Sequence, residues 1–273
     1  MSDAITSNAV LIDTTKCMGC RGCQVACKQR NEQKAESTTF FGGPGYQNPP
    51  ALSADTFTLV KYHEVEADDG LKWVFTKTGC MHCQEPACAS ACPVGALKRQ
   101  ESGAVTYDAS KCIGCRYCML ACPWHVPAYQ WTALAPYVRK CTGCDERVAH
   151  GKKPACVTTC PTGALQYGPR DEMLAEARMR ITKNPNQYVD HIYGEKEVGG
   201  TGVFYLAAVP FASLGFPDVG EEVRSYHADR VLHVLPWWVV GLGASLSALY
   251  WINSRKKKLA EEKKNNSAPM EKR

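Results

Sequence analysis

Sixteen cysteines fall into four groups of four along 273 residues, and no other feature limits so tightly what this chain can become. The groups are Cys17, Cys20, Cys23 and Cys27; Cys80, Cys83, Cys88 and Cys92; Cys112, Cys115, Cys118 and Cys122; and Cys141, Cys144, Cys156 and Cys160. So many thiols admit three physical readings: a disulfide framework, structural zinc, or iron–sulfur ligation. Spacing separates them. The first and third groups have the C-x2-C-x2-C-x3-C pattern of chains that hold two iron–sulfur clusters, in which three cysteines wrap one cluster and the fourth, on a departing helical turn, reaches another. Proline follows the last cysteine in three groups (Pro93, Pro123, Pro161), fixing φ and removing an N–H as the chain leaves. Lys28 takes that place in the first.

The groups also repeat. Asp13 to Cys27 (DTTKCMGCRGCQVAC) and Asp108 to Cys122 (DASKCIGCRYCMLAC) agree at nine of fifteen positions, and PACASACPVGAL, from Pro86, agrees with PACVTTCPTGAL, from Pro154, at eight of twelve. Repetition with cysteine at every core position indicates a duplicated binding module, which a disulfide framework would not produce. The fourth group alone has the look of a zinc ribbon, but its tail matches that of the second and carries the same reading. Glycine precedes the second cysteine in three groups (Gly19, Gly114, Gly143), where a tight loop needs unusual φ and its amide can point at sulfur; His82 replaces it in the second. His82 is therefore either a tuning residue or a packing histidine. Lys16, Lys111 and Lys140 precede the first cysteine of three groups and are either counter-charges or solvated loop lysines.

Charge argues against a nucleic-acid partner. The formal net charge is +5, but Arg255 to Arg273 alone carries eight Lys/Arg against three Glu, leaving 24 basic and 24 acidic residues elsewhere. Before that tail, Val231 to Ile252 (VLHVLPWWVVGLGASLSALYWI) lacks Lys, Arg, Asp and Glu and is long enough for about 30 Å of hydrocarbon as a helix. The alternative is a buried core helix. Flanking aromatics and the following basic run favour a transmembrane anchor with a cytoplasmic C-terminus, which places the cysteine domain on the periplasmic side of a bacterial inner membrane. The N-terminus shows neither a secretory h-region nor a twin arginine, so export is expected to rely on a partner's signal.

Short strands are expected at Ala9 to Asp13, Ala104 to Asp108 and Ala164 to Gly168, and a hairpin from Thr56 to Val65 through a DDG turn into LKWVF. Asp171 to Lys183 reads as a helix with Leu174, Ala177 and Ile181 on one face, and the Gly- and Pro-punctuated stretch beyond it as an extended arm. The fold class is α+β. A double ferredoxin-like domain with an inserted hairpin is expected over 1–168, a helix and partner-binding arm over 169–230, the anchor over 231–252 and a basic tail over 253–273.

At GCMHCQEPAC, KCIGCRYCMLACPW and PACVTTCPTGAL the chain resembles the four-cluster subunits of membrane molybdo- or tungsto-enzymes and hydrogenases, above all formate dehydrogenase iron–sulfur (beta) subunits. HIYGEKEVGGTGVFYLAAVPFASLGFP is at least as similar to the corresponding subunit of uptake hydrogenases. The resemblance implies four [4Fe–4S] clusters, with the outer motifs paired and the inner motifs paired. Cluster one would take Cys17, Cys20, Cys23 and Cys160; cluster two Cys27, Cys141, Cys144 and Cys156; cluster three Cys80, Cys83, Cys88 and Cys122; cluster four Cys92, Cys112, Cys115 and Cys118. Some relatives have tryptophan in the third motif and a [3Fe–4S] centre; Cys115 here implies a fourth cubane. It further implies a non-catalytic electron relay between a catalytic molybdenum, tungsten or nickel–iron subunit and a membrane cytochrome b or quinone-reducing subunit. Trp124 and His125 would be candidates to face that acceptor, and His233 a candidate haem ligand, each with packing as the alternative.

Overall fold

A computed structural model describes residues 7–38, 46–67 and 70–266, the side chains of 67, 226–233 and 264–266 excepted. It divides into two units, Met1–Ser225 and Tyr226–Arg273. The first contains, in order, β1 (Asn8–Asp13), α1 (Gly22–Arg30), β2 (Leu59–Ala67), β3 (Gly70–Thr78), α2 (Ala87–Ser90), β4 (Leu97–Arg99), β5 (Val105–Tyr107) and α3 (Tyr117–Ala121). Then follow β6 (Ala128–Tyr129), β7 (Val138–Arg139), α4 (Asp145–Ala149), α5 (Ala155–Thr158), β8 (Leu165–Pro169), α6 (Arg170–Lys183) and β9 (Val203–Leu206). This is a mixed α and β architecture of short elements strung between cysteines.

The central sheet has the order β8-β1-β9. β1 runs antiparallel to β8, with Ile12 opposite Leu165, and parallel to β9, with Ile12 opposite Tyr205. Alternation along β1 sends Ala9 and Leu11 to one face and Val10 and Ile12 to the other. Ala9 and Leu11, with Phe204 and Leu206, pack against Leu174 and Ala177 of α6, while Ile12 and Tyr205 join a core that contains several of the cysteines. Each large apolar side chain so enclosed contributes about 1.5–3 kcal/mol relative to an exposed one. The helix expected over Asp171 to Lys183 is therefore the lid on the sheet face that carries no thiols.

The hairpin forms as expected, β2 pairing β3 from Leu59 opposite Thr78 to Ala67 opposite Gly70. Asp68 and Asp69 of its turn, and most of the turn-rich stretch before it, lie outside the described residues. β4–β5 and β6–β7 are small antiparallel pairs between the second, third and fourth cysteine groups. Part of the segment read as an extended, partner-binding arm, Val203–Leu206, pairs with β1 in the central sheet. All four residues of β9 are buried, and Tyr193 bridges to Tyr205 beside them. A strand enclosed on both faces shows a continuous apolar run rather than alternation, so the flanking glycines and prolines dominated the reading.

The described residues of the second unit lie on one helix, α7 (Ser225–Asn266), of 42 residues. Within it, Val234–Lys263 is long and apolar enough to cross a membrane by length and composition. Trp237, Trp238, Leu242, Leu249 and Trp251 are all exposed along it. The side chain of His233 lies outside the described residues.

Candidate metal centres

Each cysteine group starts on a loop and ends on or beside a short helix. Cys17 and Cys20 lie between β1 and α1, and Cys23 and Cys27 on α1; Cys112 and Cys115 lie between β5 and α3, with Cys118 on α3 and Cys122 at its end. Cys88 is on α2, Cys156 on α5, and Cys144 stands at the N-terminal boundary of α4. All sixteen thiols are free. Helix α1 packs on α5 and α2 packs on α3, so the structure brings the outer groups to each other and the inner groups to each other.

The first and third groups repeat one another in detail. In order along each, the four thiols are half-buried, exposed, buried and buried. Asp13 Oδ1 accepts from Thr15 N–H at 3.1 Å and its hydroxyl at 2.6 Å, and Asp108 Oδ1 accepts from Ser110 N–H at 2.9 Å and its hydroxyl at 2.6 Å. Arg21 and Arg116, both left-handed (φ 58° and 66°), lay their guanidinium groups over Tyr62 at 4.8 Å and Tyr129 at 5.3 Å respectively. These contacts set the turn that delivers the third cysteine to its helix.

The residue before the second cysteine is left-handed in all four groups: φ is 68° at Gly19, 47° at His82, 69° at Gly114 and 68° at Gly143. That conformation turns the amide back on the first cysteine. Gly114 N–H donates to Cys112 Sγ at 3.4 Å and Gly143 N–H to Cys141 Sγ at 3.3 Å. Such bonds stabilise sulfur that carries negative charge. His82 bears the strain of a non-glycine residue there, and its ring is buried, with Nδ1 accepting from Val105 N–H at 2.9 Å. Burial, then the charges of Lys140 and Lys77, hold its imidazole well below the ordinary histidine range. His82 is thus a packing residue, and a neutral one.

The thiols fall into electrostatic neighbourhoods. Burial raises Cys17, which the Gly19 amide opposes, and the charges of Cys160 and Cys20 raise it further. Burial also raises Cys27, against a hydrogen bond from Thr58, with Cys156 and Cys144 as its thiol neighbours. Cys83 is pushed well up by burial and then by Cys80, Cys88 and Cys122. Cys118 is pushed up to about 11 by burial and then by Cys92, Cys115 and Cys112. Some coupling crosses these groups: Cys23, raised by burial to about 12, feels Cys156 as well as Cys17 and Cys20. Buried thiols of this kind ionise only when a cation compensates them.

One pocket is lined by Cys27, Cys141, Cys144 and Cys156 together, with Cys80, Lys77 and His82 on its wall. Of the three lysines singled out by position, Lys16 is exposed and Lys111 is exposed beside Asp108 at 3.4 Å, whereas Lys140 is only 2% exposed. Lys77, on β3, is also buried and was not singled out; its one signal is its place three residues before Cys80. Trp124 packs against the first core and donates to Tyr193 Oη at 2.9 Å, while His125 is exposed.

Soft sulfur donors, burial, amides aimed at sulfur and a pocket lined by four thiols fit a polynuclear iron–sulfur group. Among the described residues no three His, Cys, Asp or Glu side chains gather closely enough for a single metal ion. Residues 71–170, which hold the second, third and fourth cysteine groups, match the 4Fe-4S dicluster domain family. The nitrate-inducible formate dehydrogenase iron–sulfur subunit of Escherichia coli (strain K12) is 41% identical over 201 residues, covering 72% of this chain and 67% of that protein. The chain belongs to the family of formate dehydrogenase iron–sulfur subunits and their hydrogenase counterparts. Other members extend the match: the formate dehydrogenase-O iron–sulfur subunit of the same strain is 39% identical over 225 residues, covering 79% of this chain and 74% of that protein. The hydrogenase-2 operon protein HybA of Escherichia coli O157:H7 is 33% identical over 262 residues, covering 84% and 78%. Family membership answers the zinc-ribbon reading of the fourth group, which lies inside the matched domain.

Proposed function

We propose that this chain is the electron-transfer subunit of a membrane-bound formate dehydrogenase, a duplicated ferredoxin-like domain holding four [4Fe–4S] clusters in line. The observation that supports this reading is the electrostatic coupling of thiols from partner motifs: Cys17 with Cys160, Cys27 with Cys156 and Cys144, Cys83 with Cys122, and Cys118 with Cys92. Bound there, the clusters supply one-electron redox chemistry. The chain's own part is to hold the thiolates, exclude water, and direct amides at sulfur.

Partners at both ends are supported by the surface of the two repeats. Met18 and Val25 in the first group, and their equivalents Ile113 and Leu120 in the third, are apolar yet exposed. The third group is further surrounded by exposed Tyr117, Trp131 and Leu134. Matched apolar positions beside the two terminal cluster sites suit a catalytic subunit at one end and a membrane cytochrome b or quinone-reducing subunit at the other. The apolar α7 with its basic tail supports a single-pass anchor with the cluster unit periplasmic and the C-terminus cytoplasmic.

A second reading keeps the relay and changes the partner to an uptake hydrogenase. It is favoured by the HybA match, which covers more of this chain than the nitrate-inducible subunit does. Anaerobic purification of the intact complex with metal and cofactor analysis separates the two. A molybdenum or tungsten pterin in the co-purifying large subunit is expected, and nickel there sinks the formate dehydrogenase assignment. Fewer than about twelve irons per copy of this chain sinks the four-cluster reading.

A further inference from the structure

Two lysines are enclosed among the sulfur ligands. Lys77 is 7% exposed and Lys140 2%. Lys140 Nζ donates to the carbonyl oxygens of Val105 and of Cys141, the latter at 2.8 Å, and lies 3.9 Å from Cys80 Sγ. Cys141 belongs to the outer pair of motifs and Cys80 to the inner pair, so this ammonium group, on the backbone carbonyl of one and near the sulfur of the other, stands between them. Lys77 faces the pocket lined by Cys27, Cys141, Cys144 and Cys156. Among the described residues neither lysine pairs with a carboxylate.

A buried ammonium without a counter-ion is costly, and such a group sheds its proton unless negative charge stands close by. Here the sulfur ligands supply it. Burial pulls Lys77 down, but the charges of Cys156, Tyr205, Cys141 and Cys23 reverse that and raise it above the ordinary lysine value. Cys80 is among the charges that, after burial and Cys27, raise Cys141, so this is where the outer and inner cysteine groups meet.

We propose that Lys77 and Lys140 are fixed counter-charges at the crossing between the outer and inner halves of the cluster chain, raising the reduction potentials of the clusters held by Cys141 and Cys80. The inference rests on the ligand grouping proposed above. With clusters bound, each transfer would oxidise one cluster by one electron and reduce its neighbour by one, with no bond made or broken at either lysine. The reduced cluster carries one more negative charge, so a cation held close in a low-dielectric interior stabilises it more than the oxidised form. Electrons then rest at mid-chain, between the catalytic end and the membrane end. Lys16 and Lys111, exposed to solvent, are screened from this role.

The test is EPR-monitored redox titration of the anaerobically purified complex, with iron and sulfide counted per chain. Lys77→Met and Lys140→Met are expected to keep the wild-type iron and to shift the reduction equilibrium of at least one signal tenfold or more towards the oxidised form, 59 mV for a one-electron couple. Lys77→Arg and Lys140→Arg are expected to stay close to wild type, and Lys111→Met to move no signal. Unchanged potentials in the Met variants, or an equal shift in Lys111→Met, overturn the proposal. If a Met variant loses iron, the matching Arg variant decides: iron retained with Arg supports the charge, and iron lost with both overturns it. Wild-type iron far below four clusters overturns the ligand grouping instead, before any variant is made.

Discussion

Arg180 Nη1 stands 2.9 Å from Asp13 Oδ2, and both side chains are closed to solvent, at 8% and 0% exposure. Tyr188 Oη donates to the same carboxylate oxygen at 2.9 Å, and Arg180 also reaches Gln166 Oε1 at 2.8 Å. The pair ties the end of β1, just before the first cysteine loop, to α6. Removing one partner strands the other as a buried charge, so Arg180→Met is expected to cost about 3–5 kcal/mol in denaturant unfolding. Asp13→Leu combined with Arg180→Met should recover part of that loss, and a double variant worse than the sum of the singles would count against this account.

Gly143 and Gly151 have nearly the same φ, 68° and 69°, but different surroundings. A Cβ at Gly143 would stand 2.7 Å from Ala104 Cβ, while nothing lies within 4 Å at Gly151. Gly151→Ala should therefore cost only the left-handed penalty of about 1–2 kcal/mol and keep its iron. Gly143→Ala must displace β5's neighbour as well, moving the loop between Cys141 and Cys144, and is expected to lose iron. Equal iron in the two variants would contradict this.

The grouping of thiols makes a prediction across the length of the chain. Cys160→Ser should alter the same EPR signal as Cys20→Ser, and Cys122→Ser the same signal as Cys83→Ser. Should Cys160→Ser change the signal lost in Cys144→Ser, the crossed assignment is wrong.

His63 on β2 hydrogen-bonds Thr76 Oγ1 across the hairpin at 2.9 Å, and burial followed by the charge of Lys61 holds its imidazole below the ordinary histidine value. As pH falls through that ordinary value, about 6.5, the unfolded chain takes up this proton before the folded one, so stability falls. The slope is bounded by one proton. His63→Gln should flatten the fall in unfolding midpoint between about pH 7 and pH 5, and an unchanged slope would assign it to other groups.

A reporter fused after Arg273 should behave as cytoplasmic, since the basic residues that follow the apolar helix resist translocation. Periplasmic behaviour would invert the placement of the cluster unit.

Much of the first unit was legible before any coordinates. Alternation exposed the hairpin, and helical spacing exposed α6 through Leu174 and Ala177, because both elements bury one face only. β9 escaped, since a strand enclosed on both sides has no alternation to detect. Lys140 and Lys111 precede their first cysteines in the same way, yet one is sealed in and the other paired with Asp108 at the surface. Sequence position was the same; the packing of β5 over Lys140 made the difference.

By itself the sequence determined where the sixteen cysteines stand and how their motifs repeat, because cysteine spacing and tight-loop glycines are local properties of the chain. Only the tertiary structure decided which distant thiols become neighbours, which lysines are sealed among them, and that Val203 to Leu206 completes the central sheet. Those depend on how helices α1 and α5, and α2 and α3, pack together across many residues. Burial and the field of surrounding charges belong to the assembled fold, where contacts between segments far apart in the chain set them.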